Sequence, residues 1–287
     1  MVTRPVRRLS NESLSMEFWL LDINYEVIGE QPVIYMWGIT REEKRIVVIE
    51  KKFRPYFYVL TDLGSLENIG KHLQPYKLLG IEAVQRKYFG KPTTVIKATL
   101  SNPRSVPEAR ETITNLPGVR EVLEADIRFY MRYMVDKKIL PSSWLEAKVH
   151  EVEVPSGWQV DEAYEIAGDV QVLDEKKNPK LRTYALDIEC YNKYGGSDPE
   201  RDPIIIISRV HDTGEEVFSA ENGGERKMIE EFIEDLRTYD PDIVWGYNTN
   251  RFDWPYLLKR AHLNGCLLYT SDAADDLLCV DLGGRRI

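Results

Sequence analysis

Thr183-Tyr184-Ala185-Leu186-Asp187-Ile188-Glu189 is a mostly apolar strand that ends in two carboxylates. Side chains at i and i+2 of a strand share a face, about 6.5–7 Å apart at the usual ~3.3 Å rise per residue. Asp187 and Glu189 are therefore neighbours, and Ile188 turns to the opposite face. Two carboxylates placed this way can hold Mg²⁺ or Mn²⁺ through hard oxygen ligands. Two-metal sites space their ions about 3.5–4 Å apart, a separation such a pair can help to bridge. Alone, a D-x-E pattern is better read as solvated acids at an exposed strand end.

The sequence that follows adds to it. Residues 204–208 are a nearly all-apolar run, as buried strands are, and residues 216–218 supply a third short strand. Residues 224–240 read as a helix with Met228, Ile229, Phe232, Ile233 and Leu236 on one face. Pro241 stops that helix, residues 241–247 form the next strand, and residues 253–263 are helical again. Three strands, a helix, a strand and a helix open an α/β, ribonuclease-H-like mixed sheet. Between the fourth strand and its helix lies Asn248-Thr249-Asn250-Arg251-Phe252-Asp253. An acid at a helix N-terminus is favoured electrostatically, and a simple N-cap would place Asp253 there as well.

Upstream, residues 18–25, 33–39, 45–49, 56–60, 88–100 and 119–125 read as strands, with Gly90-Lys91-Pro92 breaking the fifth. Residues 63–73 and 106–115 read as helices. Strands and helices without regular βαβ alternation give an α+β N-terminal domain. The expected organisation is a disordered basic N-terminus (1–15), an N-terminal domain (16–141), a connecting hairpin (142–181) and a second domain (182–265). Residues 266–287 show no clean period of 2 or 3.6. Their opening, Cys266-Leu267-Leu268-Tyr269-Thr270-Ser271-Asp272-Ala273-Ala274-Asp275, resembles the conceptual translation of a transposase-based sequencing adaptor. They are read as a non-native, adaptor-derived tail, so that the second domain is expected to be truncated near Gly265.

D-x-E on a first strand, then N-x-x-x-F-D after a fourth, is specific in both spacing and order. Here the chain resembles the proofreading exonuclease domain of family-B DNA polymerases. Asp187-Ile188-Glu189 is similar to its first motif, and Tyr247-Asn248 through Phe252-Asp253 to its second. The resemblance implies a two-metal 3′–5′ exonuclease in which Asp187, Glu189 and Asp253 are catalytic and bind Mg²⁺ or Mn²⁺. Asp187 would be shared between the metals, Glu189 would orient the attacking water, and Asp253 would complete the other shell. Asn248 and Phe252 would position the DNA 3′ end. Cys190 departs from the Thr usual in the family. The third motif, Tyr-x-x-x-Asp, is not found: four residues after Tyr269 stands Ala273.

The resemblance extends to the N-terminal domain. Residues 53–58, 89–95 and 126–133 look like stretches of archaeal family-B polymerases, in which this domain captures template uracil. Matching positions are Tyr25, Pro55, Tyr56, Pro92, Val95, Ile127, Phe129 and Arg132. A small apolar pocket can admit a flipped-out uracil and leave no room for the methyl of thymine, and flipping costs least in a single strand. Arg128 stands where the family often has Pro. The implied partners are single-stranded template and primer 3′ end, with a sliding clamp contacted through sequence beyond this chain. Two alternatives stay open: a non-catalytic single-stranded-DNA-binding module, and a stand-alone ribonuclease-H-like exonuclease.

Composition sets the outer limits. The chain has 287 residues, 38 Lys+Arg and 47 Asp+Glu, a net charge of −9, 43% hydrophobic and 30% charged residues. That is a globular balance sized for two domains. An acidic chain is a poor coat for nucleic acid, yet a metal-dependent nuclease needs carboxylates. No apolar run reaches the roughly 18 residues of a membrane span, and the N-terminus has no secretory apolar core. Three cysteines in no zinc or disulfide pattern make the reducing cytoplasm the default compartment.

Overall fold

The computed structural model describes residues 12–62, 66–193, 195–266 and 268. Most of the segment expected to be a disordered N-terminus, and nearly all of the expected tail, lie outside the described residues. Of the tail, Cys266 is buried in the core of the second unit and Leu268 packs against it. The chain divides into two compact units, Met1–Pro179 and Lys180–Ile287.

The first unit holds two sheets. β1 (Leu14–Ile28), β2 (Gln31–Thr40), β3 (Arg45–Glu50), β8 (Trp144–Val152) and β9 (Glu162–Val172) form a closed barrel in the order β1-β2-β3-β9-β8. β1 closes it by pairing with β2 along most of its length and with β8 from Leu14 to Trp19. β2 and β3 are buried on both faces. Val33, Tyr35, Val47 and Ile49 cluster with Val160 and Ala163, while the intervening Ile34, Met36, Ile46 and Val48 are buried on the other side. β8 and β9, from the segment expected to connect the domains, pair antiparallel and complete the barrel, so these strands lie within the first unit.

The second sheet is antiparallel, in the order β5-β6-β4-β7, with β4 (Tyr56–Thr61), β5 (Leu78–Tyr88), β6 (Lys91–Leu100) and β7 (Val119–Leu123). Helices α1 (Leu66–Leu73) and α2 (Val106–Thr114) bury Ile69, Leu73, Val106, Ala109 and Ile113 against Phe57, Val59, Ile96 and Ala98. β5 and helix α3 (Phe129–Lys137) are elements that the sequence pattern does not reveal. β5 is mostly exposed, and its apolar residues Leu78, Leu79, Ile81 and Val84 follow no alternation along the strand. α3 opens on Phe-Tyr-Met-Arg-Tyr, residues whose aromatic content favours strands as much as helices.

The second unit is a mixed sheet. β10 (Thr183–Cys190), β11 (Ile204–His211) and β12 (Gly214–Ser219) are antiparallel neighbours, and β13 (Ile243–Trp245) runs parallel to β10 at the other edge. Helices α4 (Gly224–Tyr239) and α5 (Asp253–Leu263) pack Ile229, Phe232, Tyr256 and Leu257 on Tyr184, Leu186 and Ile188 of β10. Burying such side chains stabilises by about 1.5–3 kcal/mol each. No helix among the described residues is long and apolar enough to cross a membrane.

Candidate active site and cavity

Burial alternates along β10. Tyr184, Leu186 and Ile188 enter the core, whereas Asp187 and Glu189 are exposed on the opposite face. Pairing with β13 stops at Ala185 and Trp245, so the chain after β13 runs past Asp187 as a loop. Gly246 sets how close that loop comes: a Cβ there would collide with the Leu186 carbonyl oxygen and Thr249 Oγ1. Asn248 takes a left-handed φ of 59°, which Asn tolerates better than most residues. Its carbonyl then accepts the Arg251 and Phe252 N–H groups, at 3.0 Å each, and starts the turn into α5.

That turn buries Asp253, which is 2% exposed. Burial raises its proton affinity, the backbone N–H groups of Asp253 and Ile188 offset part of the effect, and the nearby Asp187 charge adds to it. Asp253 Oδ2 and Thr249 Oγ1 are buried and make no hydrogen bond of ordinary geometry among the described residues, although the Thr249 hydroxyl is near enough to Asp253 to offset part of its raised proton affinity. A buried carboxylate oxygen without such a bond, next to a second carboxylate, is a place where a hard divalent cation fits. Three His, Cys, Asp or Glu side chains gathered closely enough to form a ligand set are not found among the described residues. Asp187 and Asp253 are electrostatic neighbours, with Glu189 one step further along the same strand face.

Of the two residues expected at a DNA 3′ end, Asn248 shapes the loop and Phe252 is 36% exposed, its ring 5.3 Å from that of Tyr256. Tyr247 beside them is 94% exposed. Burial pushes the Cys190 thiol up to about 11, so at neutral pH it is a neutral group next to the carboxylates. Gly246 and Thr249 are parts of the site that the motif spacing does not single out. Gly246→Ala is expected to destabilise the protein by about 2 kcal/mol, because the new Cβ meets backbone as well as a short side chain. Chemical unfolding of the variant checks this, and wild-type stability would count against the close approach.

The first unit holds a cavity of about 260 Å³ lined by Tyr25, Pro55, Tyr56, Ile127, Phe129 and Arg132 among others. These are six of the eight residues that the family resemblance pointed to. Tyr25 meets Phe129 edge-on at 5.2 Å. The Arg132 guanidinium lies 4.7 Å over the Tyr56 ring and pairs with Glu124 at 2.5 Å. Tyr56 Oη donates to Asp136 at 2.7 Å. The other two expected residues do not line the cavity. Val95 is buried in a cluster with Tyr58 and Leu60, against which Tyr56 packs, and Pro92 is exposed at the start of β6 opposite Lys87. Arg110, Val106 and Pro107 line it without having been singled out, and Arg128, at the position where the family often has Pro, lies on the lining as well. They come from α2 and the start of α3, and α3 is absent from the sequence reading.

A family profile described as DNA polymerase family B, exonuclease domain, matches residues 120–272. The chain belongs to that family. DNA polymerase 2 of Aeropyrum pernix is 40% identical over 271 residues, which cover 90% of this chain and 34% of that protein. DNA polymerase 3 of Saccharolobus solfataricus is 34% identical over 249 residues, covering 85% and 32%. The solved family B DNA polymerase of the archaeon Pyrobaculum calidifontis superposes with a TM-score of 0.83 at 37% identity, covering 94% of this chain and 34% of that one. The chain thus spans about a third of the length of its relatives. It is an archaeal-type family-B sequence with an N-terminal domain and an exonuclease domain.

Proposed function

We propose that this chain contributes two DNA-reading parts of a DNA-directed DNA polymerase: a 3′–5′ proofreading exonuclease site and a template-reading pocket. The observation that carries the first is Asp253, buried beside Asp187 with no hydrogen bond of ordinary geometry on one oxygen. Asp187, Glu189 and Asp253 would hold Mg²⁺ or Mn²⁺, with further ligands outside this set. When bound, such ions activate a water and neutralise charge on a leaving 3′ oxygen. The chain's own part is positional. β10 fixes two carboxylates on one face, α5 brings the third, and the exposed rings of Tyr247 and Phe252 offer stacking surfaces to a terminal nucleotide. The sheet order and the strand that carries the acids fit a ribonuclease-H-like exonuclease within residues 182–265.

The experiment is degradation of 5′-labelled single-stranded DNA with Mg²⁺ or Mn²⁺. Metal-dependent shortening that disappears in Asp187→Ala is expected. Folded protein that shortens no DNA at any metal concentration would contradict the enzymatic reading.

The cavity between Tyr25, Tyr56 and Phe129 supports the second part. Small-molecule sites usually occupy about 300–1,000 Å³, so a cavity at or below that range suits one planar base better than a whole nucleotide. Template uracil is the proposed occupant, within a domain spanning residues 16–141. Ile127, 36% exposed at the lining, is the position from which the cavity can be filled without disturbing the core. Ile127→Trp is expected to abolish any preference for uracil-containing over thymine-containing oligonucleotide while leaving the melting temperature near wild type. A preference that survives the substitution would place uracil elsewhere.

A further inference from the structure

The tip of the β5–β6 hairpin is built in a way that folding does not explain. Tyr88 pairs with Lys91, so Phe89-Gly90 is a two-residue loop. Both residues have positive φ, 46° and 79°, as a type I′ turn demands. Such loops favour Asn or Asp before Gly, and a bulky side chain at positive φ is an outlier costing about 1–2 kcal/mol. Burial does not offset that cost, because Phe89 is 88% exposed. Among the described residues its one ring contact is edge-on to Tyr88, at 4.7 Å and 78°.

The charges around the ring share one sign. From Gln85 to Thr94 the hairpin carries Arg86, Lys87 and Lys91 and no acid, in a chain whose net charge is −9. Lys87 and Lys91 are exposed, and neither side chain has an ion pair among the described residues. Glu121 accepts a hydrogen bond from Tyr88 Oη at 2.7 Å, and Arg86 Nε donates to Tyr58 Oη at 3.0 Å. These contacts, with Val84 and Val95 packed against Tyr58 and Leu60, tie the hairpin strands to the sheet behind the tip. Tyr56, on the same cluster, also lines the cavity. A preorganised exposed ring flanked by free cations is the pairing of stacking platform and phosphate attraction that binds single-stranded nucleic acid.

We propose that Phe89 is a base-stacking contact for single-stranded DNA, with Lys87 and Lys91 facing the adjoining phosphates. The proposal rests on the DNA-binding reading above and adds a site separate from both the carboxylates and the cavity lining. It is tested on the full chain with a fluorescent oligo-dT probe in an anisotropy titration. Phe89→Asn installs the Asn-Gly pair that the turn prefers, so the fold is expected to be as stable as wild type or more so. Its affinity for the probe is expected to fall about fivefold or more. Phe89→Trp should keep the affinity, and its added fluorescence should be quenched on binding. Replacing Lys87 and Lys91 by Gln should flatten the dependence of log K on log salt by about 0.7 for each lysine. Wild-type affinity in folded Phe89→Asn overturns the proposal while leaving the DNA-binding reading intact. So does a Phe89→Trp emission that is unchanged at saturation, or an effect of Phe89→Asn on self-association alone. A wild-type chain that binds no oligo-dT overturns both.

Discussion

Glu225→Ala is expected to cost about 3–4 kcal/mol of stability at neutral pH and to loosen the carboxylate site with it. Glu225 lies in the first turn of α4 with its side chain 10% exposed. It accepts hydrogen bonds from both Arg260 Nε and a terminal nitrogen of the same guanidinium, from Asn264 Nδ2 at 2.9 Å and from the Ile204 N–H at 2.8 Å. One carboxylate thus ties α4 to the C-terminal turns of α5 and to the first residue of β11. Truncation leaves a nearly buried guanidinium and a backbone donor without an acceptor, the situation in which breaking a buried pair is most costly. Because α5 carries Asp253 at its other end, the metal response should weaken in the same variant.

The pH dependence of this effect has a definite sign. Burial pushes the Glu225 carboxyl up, but Arg260, Asn264 and the Ile204 N–H outweigh it and hold the group below the ordinary glutamate value. A depressed folded pKa gives stability that is complete above the unfolded value, near about 4.3, and is lost as pH falls through the folded one. Urea unfolding at pH 7 and below pH 4 should therefore show the gap between wild type and Glu225→Ala narrowing in acid. A gap of the same size at both pH values would show that the charge plays no part.

Asp253→Asn should act in the opposite direction. Without metal, Asp253 is a buried carboxylate that feels Asp187 and has one oxygen with no hydrogen bond of ordinary geometry. Its folded pKa is raised, so its contribution to stability is greatest below the unfolded pKa and falls as pH rises through the folded one. At pH 7 the charge is a liability, and the neutral amide should stabilise the metal-free protein by about 1 kcal/mol, or roughly 2–4 °C in melting temperature. With divalent metal the order reverses. A ligand at 100 times its Kd stabilises the native state by about 2.7 kcal/mol, and the variant should lose most of that gain. A metal-induced shift as large in Asp253→Asn as in wild type would remove Asp253 from the site.

What could be read from the sequence follows physical lines. β10 is legible because Leu186, Asp187, Ile188 and Glu189 alternate in character with the pleat. α4 is legible because Met228, Ile229, Phe232 and Ile233 repeat at helical spacing. β5 escapes because Gln85, Arg86 and Lys87 face solvent and carry no alternation. α3 escapes because Phe129, Tyr130 and Tyr133 favour strands locally, and only tertiary packing against Tyr25 and Phe53 holds them as a helix. Closure of the barrel depends on β1 meeting β8 more than a hundred residues later, which no local pattern encodes.

The same contrast holds for the sites. Asp187, Glu189 and Asp253 are visible as a motif, but the burial of Asp253 depends on Gly246 pressing against the Leu186 carbonyl. Six cavity residues are visible through resemblance. Pro92 and Val95 are carried away from the cavity lining by the register of β5 against β6, which sets Pro92 opposite Lys87 and Val95 opposite Val84.

The most direct measurement is a Mn²⁺ titration of the intact chain, followed by the paramagnetic resonance of the free ion. If Asp187 and Asp253 form a cation site, the wild-type chain binds Mn²⁺ saturably, and Asp187→Asn and Asp253→Asn each abolish that binding while remaining folded. Equal stoichiometry and affinity in wild type and both variants, or no saturable binding by the folded wild type, would contradict it.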